Sequence, residues 1–190
     1  MLSLEGALRG LRTEVVVGRR AVAAIGVGAT VACVAMAAQA RLYLPFTPVP
    51  ITLQTFFVLM AAAALGPSLA TVALSTYLVL GTVGFPLFTG IWLGPTTGYL
   101  LGFVVAAWLV GAVVRRVERP SLARIAGAMA LGNAVIYALG VLWLVALAGL
   151  SPRGALVAGV LPFLPGDALK LMAAAAFCRS YRDRLRQLFP

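Results

Sequence analysis

The chain has 190 residues, 62% of them apolar and 11% charged, with a formal net charge of +10 and a mean hydropathy of +1.03. A soluble domain is nearer half apolar and a quarter charged, so the composition specifies an integral membrane protein, read as one membrane domain over residues 1–190. There is no histidine, which excludes His-based triads and His-ligated metal sites. The sole lysine, Lys170, is followed by Leu171, which excludes a G-x-x-x-x-G-K-[ST] phosphate loop.

A basic segment over residues 1–20 precedes a first apolar span from Ala21 to Ala40. Its length, about 30 Å at ~1.5 Å per residue, matches one hydrocarbon core. It is too long for the core of a signal peptide and is read as a retained helix. Small residues recur at four-residue spacing in Ala24, Gly28 and Ala32, a stripe that lets helix backbones approach closely. Packing within the chain and docking to another membrane subunit are both compatible with that spacing.

Three prolines at Pro45, Pro48 and Pro50 make residues 41–50 a stiff, non-helical loop. A second helix is predicted over about Thr52–Leu65 and a third over Leu69–Leu80, broken at Gly66-Pro67. Both are short for spanning, as tilted helices or as a re-entrant pair. Residues 81–96 are punctuated by Gly and Pro yet stay apolar, a combination tolerated in a membrane only where protein covers the backbone or it lines a cavity. A fourth span is expected over Thr97–Val114, a fifth over Ile125–Ala148, a broken stretch over 149–165, and a last helix from near Gly166 into a basic tail at 179–190. The expectation is an all-α bundle of six transmembrane helices.

The basic residues fall in three clusters of four: Arg9, Arg12, Arg19 and Arg20; Arg115, Arg116, Arg119 and Arg124; Arg179, Arg182, Arg184 and Arg186. With Arg41 and Arg153 alone on the other side, the positive-inside rule makes both termini cytoplasmic and turns the loops 41–51, 81–96 and 149–165 outward. Long apolar spacers between the clusters argue against nucleic-acid binding, and anionic lipid headgroups are the expected partners of the clusters. Cys33 and Cys178 fall at different depths and read as small apolar fillers rather than a disulfide or metal site.

Four of the five acidic residues belong to basic segments; Asp167 alone lies at an apolar helix, with Lys170 three residues on. The two share a helix face and can pair. Each charge costs on the order of 2.5–3.5 kcal/mol to place in a bilayer, so such residues default to function; the competing structural reading is an ion pair with Asp167 capping backbone N–H groups. Thr52 and Gln54 after the first loop, Thr96 at the start of the fourth helix, and Asn133 and Tyr137 on one face of the fifth complete a small pocket for a ligand with an apolar body and a few polar groups. There is no second membrane carboxylate and no spaced Ser–Lys dyad, so the chain reads as a non-enzyme.

The motifs Thr47-Pro48-Val49-Pro50-Ile51-Thr52-Leu53-Gln54-Thr55-Phe56, Tyr77-Leu78-Val79-Leu80-Gly81, Gly84-Phe85-Pro86-Leu87-Phe88, Gly94-Pro95-Thr96-Thr97-Gly98-Tyr99-Leu100-Leu101-Gly102-Phe103 and Pro162-Phe163-Leu164-Pro165-Gly166-Asp167-Ala168-Leu169-Lys170 resemble the BioY family. These are the biotin-specific substrate-binding (S) components of energy-coupling factor (ECF) transporters. The resemblance runs from about residue 20 to 180. It implies a multi-pass protein of the bacterial cytoplasmic membrane that captures biotin, with no resident cofactor, in a pocket open to the outside. Its implied partners are a transmembrane coupling protein and two cytoplasmic ATPase subunits. It adds Phe88 and Tyr99 to the expected biotin contacts and gives Ala24, Gly28 and Ala32 a use in docking the coupling protein. The alternatives are an autonomous proton-coupled carrier relaying through Asp167 and Lys170, an S component for another vitamin, and a membrane scaffold.

Overall fold

A computed structural model of the chain describes residues 4–88, 93–147 and 149–189, with side chains described from Gly18 onward in the first helix. Among these residues the fold is all-helical apart from one two-residue ribbon. The helices are α1 (Leu4–Gln39), α2 (Gln54–Leu65), α3 (Pro67–Thr82), α4 (Thr97–Arg115), α5 (Leu122–Leu147), α6 (Pro152–Gly159) and α7 (Leu164–Leu188).

Three helical stretches are long and apolar enough to cross a membrane: Gly18–Gln39, Thr97–Arg115 and Leu122–Leu147. α6 and α7 form a fourth if their pair, bent by 53°, is one span. α2 and α3, with 12 and 16 residues, extend about 18 and 24 Å. Gly66 separates them at φ +80°, a left-handed conformation that glycine adopts without penalty, and Pro67 then starts α3 where no intrahelical N–H is needed.

The sequence reading places the helix boundaries to within a few residues, with two exceptions. α1 reaches back to Leu4 through the basic segment. The stretch 149–165, read as broken throughout, contains α6: Ser151 caps it by accepting from the Gly154 N–H at 3.1 Å, and Pro152 occupies the first turn. Here proline initiates a helix rather than interrupting one, and Pro165 does the same in α7. The proline-rich loop after α1 is non-helical, as its composition demands, but its ends pair as a short antiparallel ribbon, Arg41 with Thr52 and Leu42 with Ile51.

α4 and α5 pack closely because glycine removes the side chains between them. A Cβ at Gly98 would lie 2.4 Å from the Leu139 carbonyl oxygen, and one at Gly102 would lie 2.8 Å from Ile136 Cα. Around this pair the core holds Leu59, Leu74, Tyr77, Val110, Ile125, Met129, Ile136 and Leu144. Cys33 is half-buried and Cys178 buried; both are free thiols.

The helix directions leave two distinct ends. The first turns of α2, α4 and α7 meet the proline-rich loop and α6 at one end. The last turns of the same helices bring Ala64, Arg115 and Arg186 to the other.

Candidate functional site

The end that gathers the first turns of α2, α4 and α7 holds a partly open cavity. Its apolar wall comes from Val49, Pro50, Leu100, Phe103, Ile136 and Phe163, with the Tyr99 ring among them. Its polar side is Thr52, Gln54, Thr55, Thr96, Tyr137, Asp167 and Lys170.

The loop is held over this cavity by hydrogen bonds rather than by regular structure. The Thr47 hydroxyl donates to the Ala158 carbonyl of α6 at 2.7 Å and accepts from the Val49 N–H at 3.1 Å. Proline at 48 and 50 stiffens the chain between them, so Val49 and Pro50 reach the wall from a segment without helix or strand. At the next carbonyl the Tyr99 hydroxyl donates to Gly159 at 2.8 Å, tying α4 to α6.

Asp167 is the centre of the polar side. Its side chain is only 6% exposed, yet it accepts three hydrogen bonds. Oδ1 accepts from Lys170 Nζ at 2.8 Å and from the Thr55 hydroxyl at 3.2 Å, and Oδ2 accepts from the Tyr137 hydroxyl at 2.6 Å. Lys170 Nζ also donates to the Thr52 carbonyl at 2.7 Å. Three helices and the loop end therefore converge on one ion pair. The capping alternative is not what the structure has: Phe163 is the N-cap residue of α7, and no side chain caps that end. The Asp167 carboxylate is turned to the side chains of α2 and α5.

A carboxylate offers about four lone-pair sites and an ammonium group three donors. Among the described residues, Asp167 uses three of its sites and Lys170 two of its donors. One acceptor and one donor remain, on two groups that both line the cavity. The arrangement can bind a molecule with an apolar body that presents an N–H and, close by, a carbonyl or carboxylate oxygen, through charge-assisted bonds.

Of the nine residues read from sequence as ligand contacts, Thr52, Gln54, Thr96, Tyr99, Tyr137, Asp167 and Lys170 line the cavity. Phe88 and Asn133 lie outside its wall. Phe88 is buried edge-on against Tyr77, with ring centroids 5.5 Å apart. Tyr77 in turn accepts from Gln54 Nε2 at 2.9 Å and donates to the Leu87 carbonyl at 2.8 Å. Phe88 therefore supports the cavity by way of Tyr77 and Gln54. Asn133, one turn from Tyr137, is buried with its Oδ1 unpartnered; the shared helix face is real, but only Tyr137 reaches the cavity. Val49, Pro50, Thr55, Leu100, Phe103, Ile136 and Phe163 line the cavity without standing out in the sequence as contacts. Of these, Thr55 follows Thr52 by three residues and Phe103 follows Tyr99 by four, so helical spacing from residues already singled out is the one signal that points to those two.

The small-residue stripe of α1 lies elsewhere: Ala24, Gly28 and Ala32 are exposed, and a Cβ at Gly28 would meet nothing within 4 Å. The stripe does not pack inside the described chain.

A family model described as the BioY family matches residues 12–187. The chain belongs to the BioY family. It is 38% identical over 138 residues to a biotin transporter BioY of Thermotoga maritima, with 70% of this chain and 80% of the relative covered. It is also 38% identical over 148 residues to a biotin transporter BioY of Rhodobacter capsulatus, with 70% and 78% covered. Among solved structures, the crystal structure of the S component for biotin from an ECF-type ABC transporter has the same fold. Its TM-score is 0.80 at 23% identity, over 88% of this chain and 95% of that one. Every cavity residue named above falls within the BioY match.

Proposed function

We propose that this chain takes up biotin as the S component of an ECF-type transporter of the bacterial cytoplasmic membrane. In this reading it is a binding and translocating subunit rather than an enzyme and carries no resident cofactor. A separate transmembrane coupling protein and two cytoplasmic ATPase subunits supply the energy. BioY membership and the biotin transporters among its relatives support the substrate. The observation that carries the reading is the pairing of one remaining acceptor on Asp167 with one remaining donor on Lys170 beside an aromatic and aliphatic wall. Biotin has an apolar bicycle, ureido N–H donors, a ureido carbonyl and a carboxylate tail, and so complements both halves.

In the membrane, α1 to α5 and α7 form the six transmembrane elements of one domain, with α6 as a cap over the cavity. The arginine-rich ends of α4 and α7 and both termini lie on the cytoplasmic side, by the excess of basic residues there. The cavity then opens outward. The exposed Ala24, Gly28 and Ala32 give the coupling protein a surface it can approach closely.

Radiolabelled biotin binding to the detergent-purified chain tests the reading. Saturable binding without ATP, unaffected by excess riboflavin or thiamin, is expected. No binding, or competition by another vitamin, would overturn the assignment of biotin. Uptake into vesicles should require ATP and the partner subunits; uptake driven by a proton gradient through the chain alone would favour the autonomous carrier.

A further inference from the structure

The arginine-rich end of the bundle holds a second, smaller and partly open cavity, lined by Arg115, Arg182 and Arg186 together with Ala64, Cys178 and Leu185 among others. Two of its guanidinium groups are fixed by backbone carbonyls: Arg115 donates to Ala64 at 3.2 Å and to Phe189, and Arg186 donates to Val117. These acceptors are neutral and orient the cations without cancelling their charge. Arg182 contacts Asp183, Nε to Oδ1 at 3.2 Å, but that carboxylate is 73% exposed while Arg182 is 21% exposed. Among the described residues no carboxylate lines the cavity. Three like charges therefore converge on one small, partly buried space.

Beside it runs a groove between α1, α2 and α7, with Ala29, Cys33, Phe57, Met60 and Phe177 along it. Its one hydroxyl, on Thr30, is already donated to the Gly26 carbonyl at 2.8 Å, so the groove offers a ligand only apolar surface. The two spaces are adjacent: Ala64 and Leu185 line both. Phe189 joins them as well, with its carbonyl accepting from Arg115 and its side chain lining the groove.

We infer that this paired site binds one anionic phospholipid, its phosphate among Arg115, Arg182 and Arg186 and an acyl chain along the α1–α2–α7 groove. A guanidinium cluster suits a phosphate oxyanion, and basic pockets between helices at the cytoplasmic boundary hold lipid headgroups in this way. A free phosphate would use the arginines equally well; the adjoining dry groove selects a phosphate that carries a hydrocarbon chain. The site lies at the opposite end of the helices from the biotin cavity and does not depend on the ligand assigned there.

The test is native mass spectrometry of the full-length chain, delipidated in mild detergent and titrated with phosphatidylglycerol, phosphatidylcholine or inorganic phosphate. Phosphatidylglycerol should bind at least ten-fold more tightly than phosphatidylcholine, and millimolar inorganic phosphate should not displace it. Each basic residue near a membrane surface contributes about a five-fold factor, so Arg182→Gln with Arg186→Gln should cost about thirty-fold. Ala29→Phe, which fills the groove and leaves the charges alone, should also weaken phosphatidylglycerol. Biotin binding by each variant reports that it is folded; if the arginine pair fails that control, Arg182→Gln alone should still cost about five-fold. Equal affinity for the two lipids, or full retention by the arginine variants, would overturn the site. Competition by inorganic phosphate with no effect of Ala29→Phe would make it a soluble-anion site and overturn the lipid. Variants that retain the lipid but no longer assemble with the coupling protein would make the cluster a protein-docking surface instead.

Discussion

The Tyr137 hydroxyl lies 2.6 Å from Asp167 Oδ2, joining α5 to the first turn of α7 across the cavity. Thr55 reaches the other oxygen from α2. Together with Lys170 they fix the orientation of a carboxylate that would otherwise be free to rotate, so a ligand bound beside it meets a group already ordered. Tyr137→Phe removes one donor and keeps the ring. A hydrogen bond to a charged group is worth about 1.5–3 kcal/mol, so the melting temperature should fall, and biotin affinity measured by calorimetry should fall as the carboxylate loses its fixed orientation. An unchanged affinity would make Tyr137 a bystander at the cavity wall.

The Asp167–Lys170 pair can be separated from a structural role by a double change. Removing one partner of a buried pair costs roughly 3–5 kcal/mol, because it strands the other charge. Lys170→Ala and Asp167→Ala should therefore both lower the melting temperature of the purified protein. On protein that still runs as a single monodisperse peak, each should weaken biotin by about ten-fold or more. The double neutral variant should regain stability without regaining binding. Wild-type affinity in that variant would reduce the pair to a structural one.

The orientation proposed from the basic clusters is checked by single-cysteine labelling with a membrane-impermeant thiol reagent. Phe46 and Arg153 are exposed near the cavity end, whereas Arg116 and Arg184 are exposed near the arginine end. Cysteine at 46 or 153 should label in intact cells, and at 116 or 184 only after the membrane is opened. Labelling of 116 from outside would reverse the topology.

Much of this fold was legible because membrane physics leaves strong marks in sequence. The limits of α4 and α5 follow from apolar length, and the end of α2 from Gly66-Pro67. Pro152 was harder to read, since proline stops a helix from within and starts one from its first turn, and only the Ser151 cap distinguishes the cases. The site divides in a similar way. Asp167 and Lys170 stand out because charge is costly in a bilayer, and Tyr137 because it is polar. Thr55, Phe103 and Phe163 look like ordinary packing residues until the helices are brought together. Phe88, expected as a contact from the family resemblance, lies outside the cavity wall and fills the space against Tyr77.

Glycine spacing gives the last prediction, because the same pattern has two outcomes in this chain. Gly98 and Gly102 are four residues apart on α4, as Ala24, Gly28 and Ala32 are on α1. The α4 pair lies against Leu139 and Ile136, with no room for a Cβ, whereas the space beyond Gly28 is open. Gly102→Ala should therefore behave as an overpacking change, costing about 1–3 kcal/mol. It should also weaken biotin, since Ile136 and Tyr137, at and next to the point of contact, line the cavity. Gly28→Leu should leave both melting temperature and biotin affinity of the isolated chain near wild type. Co-purification with the coupling protein should then separate the two surfaces, with Gly28→Leu lowering recovery of the complex although the chain itself is intact. Loss of biotin binding in Gly28→Leu would return the α1 stripe to internal packing, and full recovery of the complex would remove it from the docking surface.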